Sequence, residues 1–127
     1  MTQSSYIILG AGASGLMLAY RMSQDRNFDD KSILIIDQVK DKGNDRTWCY
    51  WEEGEGEWDD LISKKWSKVF FGSEDFTNTL DISPHTYKMI RSQKFYHKLW
   101  RSIEQKSNFI FVEDSVKTYT EIDNRVK

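Results

Sequence analysis

Three glycines near the start of the chain, Gly10, Gly12 and Gly15, have the spacing of a phosphate-binding turn. In the pattern G-x-G-x-x-G, the first glycine permits a tight turn and the second allows the backbone to approach a pyrophosphate. The third allows a helix to pack close to a strand. The N-terminus of that helix offers free N–H groups and the positive end of its dipole to phosphates. The spacing therefore indicates dinucleotide binding.

An acidic residue follows at the position that the same chemistry requires. Asp37 comes directly after the apolar run SILII at residues 32–36, where a carboxylate accepts hydrogen bonds from ribose hydroxyls. The glycine pattern alone is weak, and the alternatives are a glycine-rich turn without a ligand and a solvated acid at a strand end. The coincidence of glycines, two predicted strands and the acid favours the dinucleotide site.

The elements that must position these residues form a βαβ unit. Tyr6–Leu9 predicts a buried strand, and apolar residues at helical spacing predict a helix from Ala13 to about Ser23. The apolar run at residues 32–36 predicts a parallel strand covered on both faces. This stretch has the ~30 residues that a βαβ unit needs. The sequence thus predicts an α/β, Rossmann-like fold with a parallel sheet.

The rest of the chain carries weaker signals. We predict an irregular segment over residues 39–60, including a solvated acidic loop at residues 52–60. A predicted helix over residues 93–105 has Ser92 as its N-cap. That helix carries an apolar stripe formed by Phe95, Tyr96, Leu99, Trp100 and Ile103. Further predicted strands cover residues 65–71, 86–90, 108–112 and 117–122, followed by a turn at Asp123-Asn124 and a return strand at 125–127. A hairpin that stops there predicts that residues 1–127 are an incomplete domain.

Composition excludes several classes of function. The 127 residues carry 18 Lys and Arg against 20 Asp and Glu, without the basic stripe of a nucleic-acid-binding protein. The single cysteine, Cys49, excludes an internal disulfide, fits a reducing cytoplasmic compartment and is expected to be a small buried hydrophobic residue. His85 and His97 belong to no triad or metal-ligand pattern, so no metal site is predicted. The N-terminal apolar run is too short for a membrane span.

Three motifs connect the chain to known flavoproteins. Ala19 and Met22 extend the glycine pattern, and this extended form at the N-terminus resembles the FAD-binding start of two-dinucleotide-type flavoproteins. The stretches NDRTWCYWE, residues 44–52, and YKMIRSQKFY, residues 87–96, resemble the bacterial lycopene β-cyclases, FAD-containing flavoproteins of carotenoid synthesis. The tryptophan motif is the more specific part of this resemblance.

The resemblance implies a reaction and a setting. The family closes the ends of lycopene into β-ionone rings, an isomerisation that begins with proton donation and proceeds without net redox change, with FAD in its reduced form. Such a site must stabilise a carbocation, a task that suits aromatic faces and carboxylates. Because the substrate is a long hydrocarbon held in membrane, the resemblance also implies an enzyme that works peripherally at the bilayer surface. Together with the single cysteine, this predicts a cytoplasmic, peripherally membrane-associated protein.

The resemblance also assigns cofactor-binding residues. The matching positions are Gly10, Gly12, Ser14, Gly15, Asp37, Arg46, Arg91 and Val116. Ser14 lies at the helix start near the phosphates. Arg46 and Arg91 resemble arginines that meet the pyrophosphate or the isoalloxazine in related flavoproteins, with surface arginines as the alternative. Val116 follows the third predicted parallel strand, where related proteins contact adenine through the backbone.

The resemblance leaves the catalytic residues open. Trp48 and Trp51 are candidates for lining the polyene channel, with core packing as the alternative. The family's later Gly-Asp segment, its carboxylate-rich motif and its substrate domain have no counterpart in these residues. We therefore assign no catalytic residue and expect that this N-terminal part, without the rest of the protein, neither holds FAD tightly nor cyclises lycopene. The alternatives are another FAD-dependent enzyme of the hydroxylase or polyene desaturase type, and a non-catalytic nucleotide-binding module.

Overall fold

The computed structural model describes residues 3–123 and 125–126. The chain divides into two compact units, the first formed by Met1–Lys42 with Tyr96–Lys127 and the second by Gly43–Phe95. The helices are α1 (Ala13–Gln24) and α2 (Ser92–Ile103). The strands are β1 (Tyr6–Leu9), β2 (Ile33–Asp37), β3 (Thr47–Glu53), β4 (Ile62–Trp66), β5 (Lys68–Gly72), β6 (Thr77–Asp81), β7 (His85–Arg91), β8 (Phe109–Glu113), β9 (Glu121–Ile122) and β10 (Arg125–Val126).

The first unit contains a parallel sheet in the order β1-β2-β8. In the middle strand, Ile33 pairs with Tyr6 of β1 and with Phe109 of β8. Ile33 and Ile35 are completely buried, as expected of a parallel strand covered on both faces. Helix α1 contributes the buried side chain of Leu16 to this unit. The sheet thus brings the carboxyl ends of three strands to one edge.

The second unit contains an antiparallel sheet in the order β3-β7-β4 and a separate hairpin formed by β5 and β6. Along β3, half-buried Trp48 and Tyr50 alternate with exposed Cys49 and Trp51. The central strand β7 buries Ile90 on the side of Trp48, its direct partner across the sheet. One face of this sheet therefore forms the core of the unit, while the other carries exposed side chains.

The predicted βαβ unit is confirmed, as is the apolar stripe of α2, whose five members are all buried. Six of the observed elements, β1, α1, β2, β7, α2 and β8, begin and end within two residues of the prediction. The α/β fold with a parallel sheet is therefore present, but it accounts for the first unit only. The antiparallel second unit was not predicted.

Three predictions about strands are wrong. Residues 39–60 are not irregular throughout, because they contain β3, in which aromatic side chains alternate between the two faces of the sheet. Residues 65–71 form parts of two strands, β4 and β5, that are interrupted at Ser67. The strand predicted over residues 117–122 is reduced to β9. The missed strand β6 is fully exposed and mostly polar, so it lacks the alternating pattern that indicates a strand.

The terminal hairpin is present in part. Strands β9 and β10 pair antiparallel, with Arg125 opposite Ile122 and Val126 opposite Glu121. Asp123 adopts a positive φ of 52°, which suits a tight turn. Asn124, the second residue of the predicted turn, and Lys127, the end of the predicted return strand, lie outside the described residues.

Candidate functional site

The glycine turn connects β1 to α1 and gives each glycine a distinct place. Gly10 has a φ of 95°, a conformation that side chains disfavour, and its N–H donates to the carbonyl of Ile36 at 2.8 Å. A Cβ on Gly15 would collide with the carbonyl oxygen of Gly10, so only glycine lets α1 begin this close to β1. A Cβ on Gly12 would meet no atom within 4 Å. The turn is therefore tight at its base and open at Gly12, where a ligand would approach.

Asp37 ends β2 beside this turn, and hydrogen bonds hold its carboxylate. Its Oδ2 accepts the N–H of Ala11 at 2.6 Å, and its Oδ1 accepts the N–H of Val39 at 3.1 Å and Lys42 Nζ at 2.7 Å. Burial alone would raise the pKa of Asp37, but these three donors outweigh burial and hold the pKa below its usual value. The carboxylate is thus ionised and oriented, and it retains one of its roughly four acceptor positions.

A cavity of about 380 Å³ opens at the carboxyl ends of the three parallel strands. Two hydrogen bonds connect the end of β2 to the residues after β8: the N–H of Asp114 donates to the carbonyl of Asp37 at 2.9 Å, and Gln38 Nε2 donates to Ser115 Oγ at 3.2 Å. The lining residues are Leu9, Gly10, Ile36, Asp37, Gln38, Asp114, Val116, Lys117, Thr118 and Tyr119. Ligands of open α/β sheets bind at this position, outside the carboxyl ends of the strands.

The structure brings together three of the predicted cofactor residues, because Gly10, Asp37 and Val116 line the same cavity. Gly12, the N-cap of α1, Ser14 and Gly15 follow directly in the turn and the first turn of the helix. Other lining residues, such as Gln38 and Tyr119, were not predicted. Gln38 comes shortly after the predicted strand at residues 32–36, so its signal was available, whereas Tyr119 lies in a segment that was predicted to be a strand and carried no such signal.

The two predicted arginines belong to the second unit. Arg46 directly precedes β3, and Arg91 ends β7 opposite Thr47. The N–H of Arg46 donates to Ser92 Oγ at 2.9 Å, and the N–H of Ser92 donates to the carbonyl of Arg46 at 3.0 Å. Both arginine side chains are exposed. The sheet register therefore places the two guanidinium-bearing residues at the same end of this sheet.

The two tryptophans of the predicted channel lie on opposite faces of β3. Trp48 packs edge-on against Phe95, with ring centroids 5.4 Å apart, on the core side of the second unit. Trp51 is 54% exposed and lies beside Tyr87 on the other side, with ring centroids 4.9 Å apart. A single channel can therefore be lined by only one of the two.

The second unit contains a buried lysine surrounded by acceptors, an arrangement that was not predicted from the sequence. The side chain of Lys88 is 3% exposed, and its Nζ donates to Glu52 Oε2 at 2.7 Å, Asp59 Oδ1 at 2.7 Å and the carbonyl of Gly54 at 2.8 Å. The carboxylates of Asp59 and Glu52 raise the pKa of Lys88. The prediction of a solvated acidic loop is therefore wrong for Glu52 and Asp59, because a buried cation needs these partners. The hydroxyl of Tyr50 is buried without a hydrogen-bond partner, and this burial raises its pKa.

Other predictions can be compared with the described residues. Cys49 is exposed, so its prediction as a buried hydrophobic residue is wrong; the alternation of β3 turns it away from the core. Within residues 3–123 and 125–126, no three His, Cys, Asp or Glu side chains come together as metal ligands. Neither α1 nor α2, each of 12 residues, is long and apolar enough to cross a membrane.

Comparison with known proteins adds four findings. A family model described as lycopene cyclase protein matches residues 6–126. PqsL from Pseudomonas aeruginosa, a probable FAD-dependent monooxygenase, matches with a TM-score of 0.68 and 10% identity, covering 98% of this chain and 40% of that chain. A PqsL mutant gives the same TM-score and coverage with 11% identity. Amino acid oxidase fsqB from Aspergillus fumigatus is 49% identical over 35 residues, which are 28% of this chain and 7% of that protein. The chain thus spans about 40% of the length of these solved structures, and likeness at such low identity shows the fold alone.

Proposed function

Because the chain belongs to the lycopene cyclase protein family, we propose that its first unit binds the adenosine end of FAD in an enzyme that cyclises lycopene. The match of the family model to residues 6–126 carries this proposal. It agrees with the dinucleotide site predicted from the glycine turn and Asp37, and with the FAD that the resemblance implies. The α/β fold shared with PqsL, a probable FAD-dependent monooxygenase, supports the same cofactor.

The residues of the first unit fit such a cofactor. The open space beside Gly12 admits a pyrophosphate against the backbone, and the N-terminus of α1 favours its negative charge. The cavity of about 380 Å³ lies at the small end of the ~300–1,000 Å³ range of ligand sites, so it suits the adenosine part rather than a whole dinucleotide. The ionised Asp37 retains an acceptor position for a ribose hydroxyl, and displacement of the Lys42 side chain would free a second one.

The proposed reaction is closure of the ends of lycopene into β-ionone rings, an isomerisation started by an acid. When bound, FAD supplies the reduced flavin with which the family carries out this reaction. The first unit contributes by fixing the cofactor through backbone N–H groups and Asp37. We assign the proton-donating acid to no residue of this chain and propose that further sequence of the same protein supplies it, since this chain spans 40% of the length of PqsL.

The second unit contributes candidates that remain predictions. Arg46 and Arg91 are exposed cations at one end of the β3-β7-β4 sheet, and we propose them as partners for the pyrophosphate or the isoalloxazine. Trp51 is the tryptophan whose exposed ring is free to contact a polyene. Trp48 packs on Phe95 and is better explained as core.

The cellular setting is also a proposal. A carotene dissolves in the hydrocarbon of a bilayer, so we propose that the protein works peripherally at the cytoplasmic membrane surface. Phe70 and Phe71 of the β5–β6 hairpin are 70% and 57% exposed, which supports contact with an apolar phase. Cosedimentation with lipid vesicles tests this setting.

The cofactor is tested by titrating the purified protein with FAD and following flavin fluorescence. We expect weak, saturable binding, and Asp37→Asn should weaken it about tenfold because a charge-assisted hydrogen bond to ribose is lost. Asp75→Asn, which removes an exposed carboxylate from the β5–β6 loop, is the matched control and should bind FAD as the unaltered protein does. Equal binding by both variants would argue against a ribose site at Asp37. A stoichiometric yellow protein would contradict the expectation that these residues alone hold FAD weakly.

The reaction is tested by expressing the complete gene in cells that accumulate lycopene and analysing their carotenoids. A cyclised product of unchanged mass supports the proposal. An oxygenated or further desaturated product would instead support the alternative FAD-dependent activities. The 127-residue chain expressed alone is expected to leave lycopene unchanged.

A further inference from the structure

The cavity of the first unit has one wall outside regular secondary structure. Part of its lining consists of strand ends and the residues next to them, including Leu9, Gly10 and Asp37. The wall is the part of the lining formed by residues 116–119, which lie between β8 and β9 and have no regular secondary structure. The positions of the side chains in this wall are therefore not fixed by the strands of the sheet.

The largest side chain of this wall is exposed. Tyr119 lines the cavity, yet 63% of the residue is accessible to solvent. Leu9 and Val116, which also line the cavity, are 53% and 44% exposed. Three side chains with apolar surface thus line the cavity and remain partly exposed to solvent. Such an arrangement suits a flat apolar ligand that all three can contact.

We propose that Tyr119 stacks on the adenine ring of the bound dinucleotide and selects for a purine base. This inference rests on the proposed binding of FAD. The base has a flat aromatic face, and a tyrosine ring offers a matching face at low cost in conformational entropy. Asp37 accepts from the ribose on the strand side, so the base extends toward residues 116–119. Tyr119 is thereby a positioning residue for the adenosine and takes no part in the reaction.

The test compares two nucleotides that differ in the base alone. ADP and UDP are titrated separately into ¹⁵N-labelled protein, and amide shifts of residues around Gly10 and Asp37 give the dissociation constants. The unaltered protein should bind ADP more tightly than UDP, because a purine stacks over a larger area. Tyr119→Ala should weaken ADP binding about tenfold and remove the preference for ADP.

Two further variants separate stacking from other roles of Tyr119. Tyr119→Phe retains the ring and should bind ADP as the unaltered protein does, whereas Tyr119→Leu retains an apolar side chain without the ring and should resemble Tyr119→Ala. Phe70→Ala, an equally large truncation of an exposed ring in the second unit, should leave both nucleotides unaffected. Unchanged amide spectra of the free variants show that the fold is intact.

The outcomes distinguish this inference from the proposed function. If the unaltered protein binds ADP and Tyr119→Ala binds it equally well, the stacking role is overturned while the cofactor site stands. Loss of binding in Tyr119→Phe would show that the hydroxyl matters rather than the ring, which also overturns stacking. If the unaltered protein binds neither ADP nor FAD, the proposed function fails and this inference fails with it.

Discussion

The middle strands of the two units place charge in opposite ways. In the first unit, β2 buries Ile33 and Ile35 and carries its charged residue, Asp37, at the end of the strand. In the second unit, the central strand β7 carries the buried Lys88 in its interior, where Glu52 and two other acceptors surround it. Asp37, at the strand end, retains an acceptor position for a ligand, whereas the three N–H donors of Lys88 are all occupied by its partners. The comparison assigns ligand chemistry to the first unit and a structural role to Lys88.

The largest loss of stability is expected at Gly15, where the first unit has no room for a side chain. Gly15→Ala should destabilise this unit by about 3 kcal/mol or more, because the added methyl group collides with the backbone carbonyl of Gly10. Denaturant unfolding, with amide exchange of Ile33 and Ile35 as the local probe, measures the loss.

The matched control is Gly12→Ala, whose methyl group would meet no atom within 4 Å. It should cost less than about 1 kcal/mol, the usual size of an N-cap change, yet weaken ADP binding by occupying the space left for phosphate. If the two alanine variants unfold alike, the distinction between a packing glycine and a binding glycine in this turn is wrong.

A smaller effect is expected in the second unit, where the two faces of β3 are to be compared. Trp48→Ala should cost about 2 kcal/mol, less than a fully buried tryptophan, because half-buried Trp48 loses its edge-on contact with Phe95. Trp51→Ala on the exposed face should cost less than about 1 kcal/mol. Thermal unfolding of both variants measures the difference. Equal losses would contradict the assignment of Trp48 to the core.

The sequence predicted the first unit better than the second for a physical reason. The glycine turn, β2 and the end of that strand at Asp37 follow from local signals, since buried parallel strands are continuous apolar runs. The family resemblance came from Trp48, Trp51 and their neighbours, but the same residues gave no indication that they form a strand. In β3 the sequence TWCYWEE places Tyr50 and Trp51 side by side, so it lacks a simple apolar–polar alternation, and an irregular segment was predicted instead.

The partners of the buried charge were beyond prediction from local pattern. Lys88 lies 36 residues after Glu52 and 29 after Asp59, so neither contact is local, and the contact with Glu52 depends on the register of β3 against β7. The wall of the cavity raises the same difficulty, because Tyr119 reaches it from a segment that was predicted to be a strand. The strand ends follow from local sequence patterns and could be predicted. Contacts between side chains that are distant in the sequence depend on how the elements pack, and they could not be predicted.

The smallest effect concerns the charge at the end of β2 and depends on pH. Hydrogen bonds from Ala11, Val39 and Lys42 outweigh burial and lower the pKa of Asp37 in the folded protein. Its ionised form therefore adds stability that is complete above the unfolded value of about 4 and is lost as the pH falls through the lower folded value. Asp37→Asn should cost about 1 kcal/mol at neutral pH, and this cost should shrink as the solution is acidified below about pH 4. Urea unfolding at neutral and acidic pH measures the difference, with Asp75→Asn as the control for removal of an exposed carboxylate. A cost that stays constant with pH would mean that the ionised carboxylate does not support the first unit, and the contrast between the strand end and the strand interior would then rest on Lys88 alone.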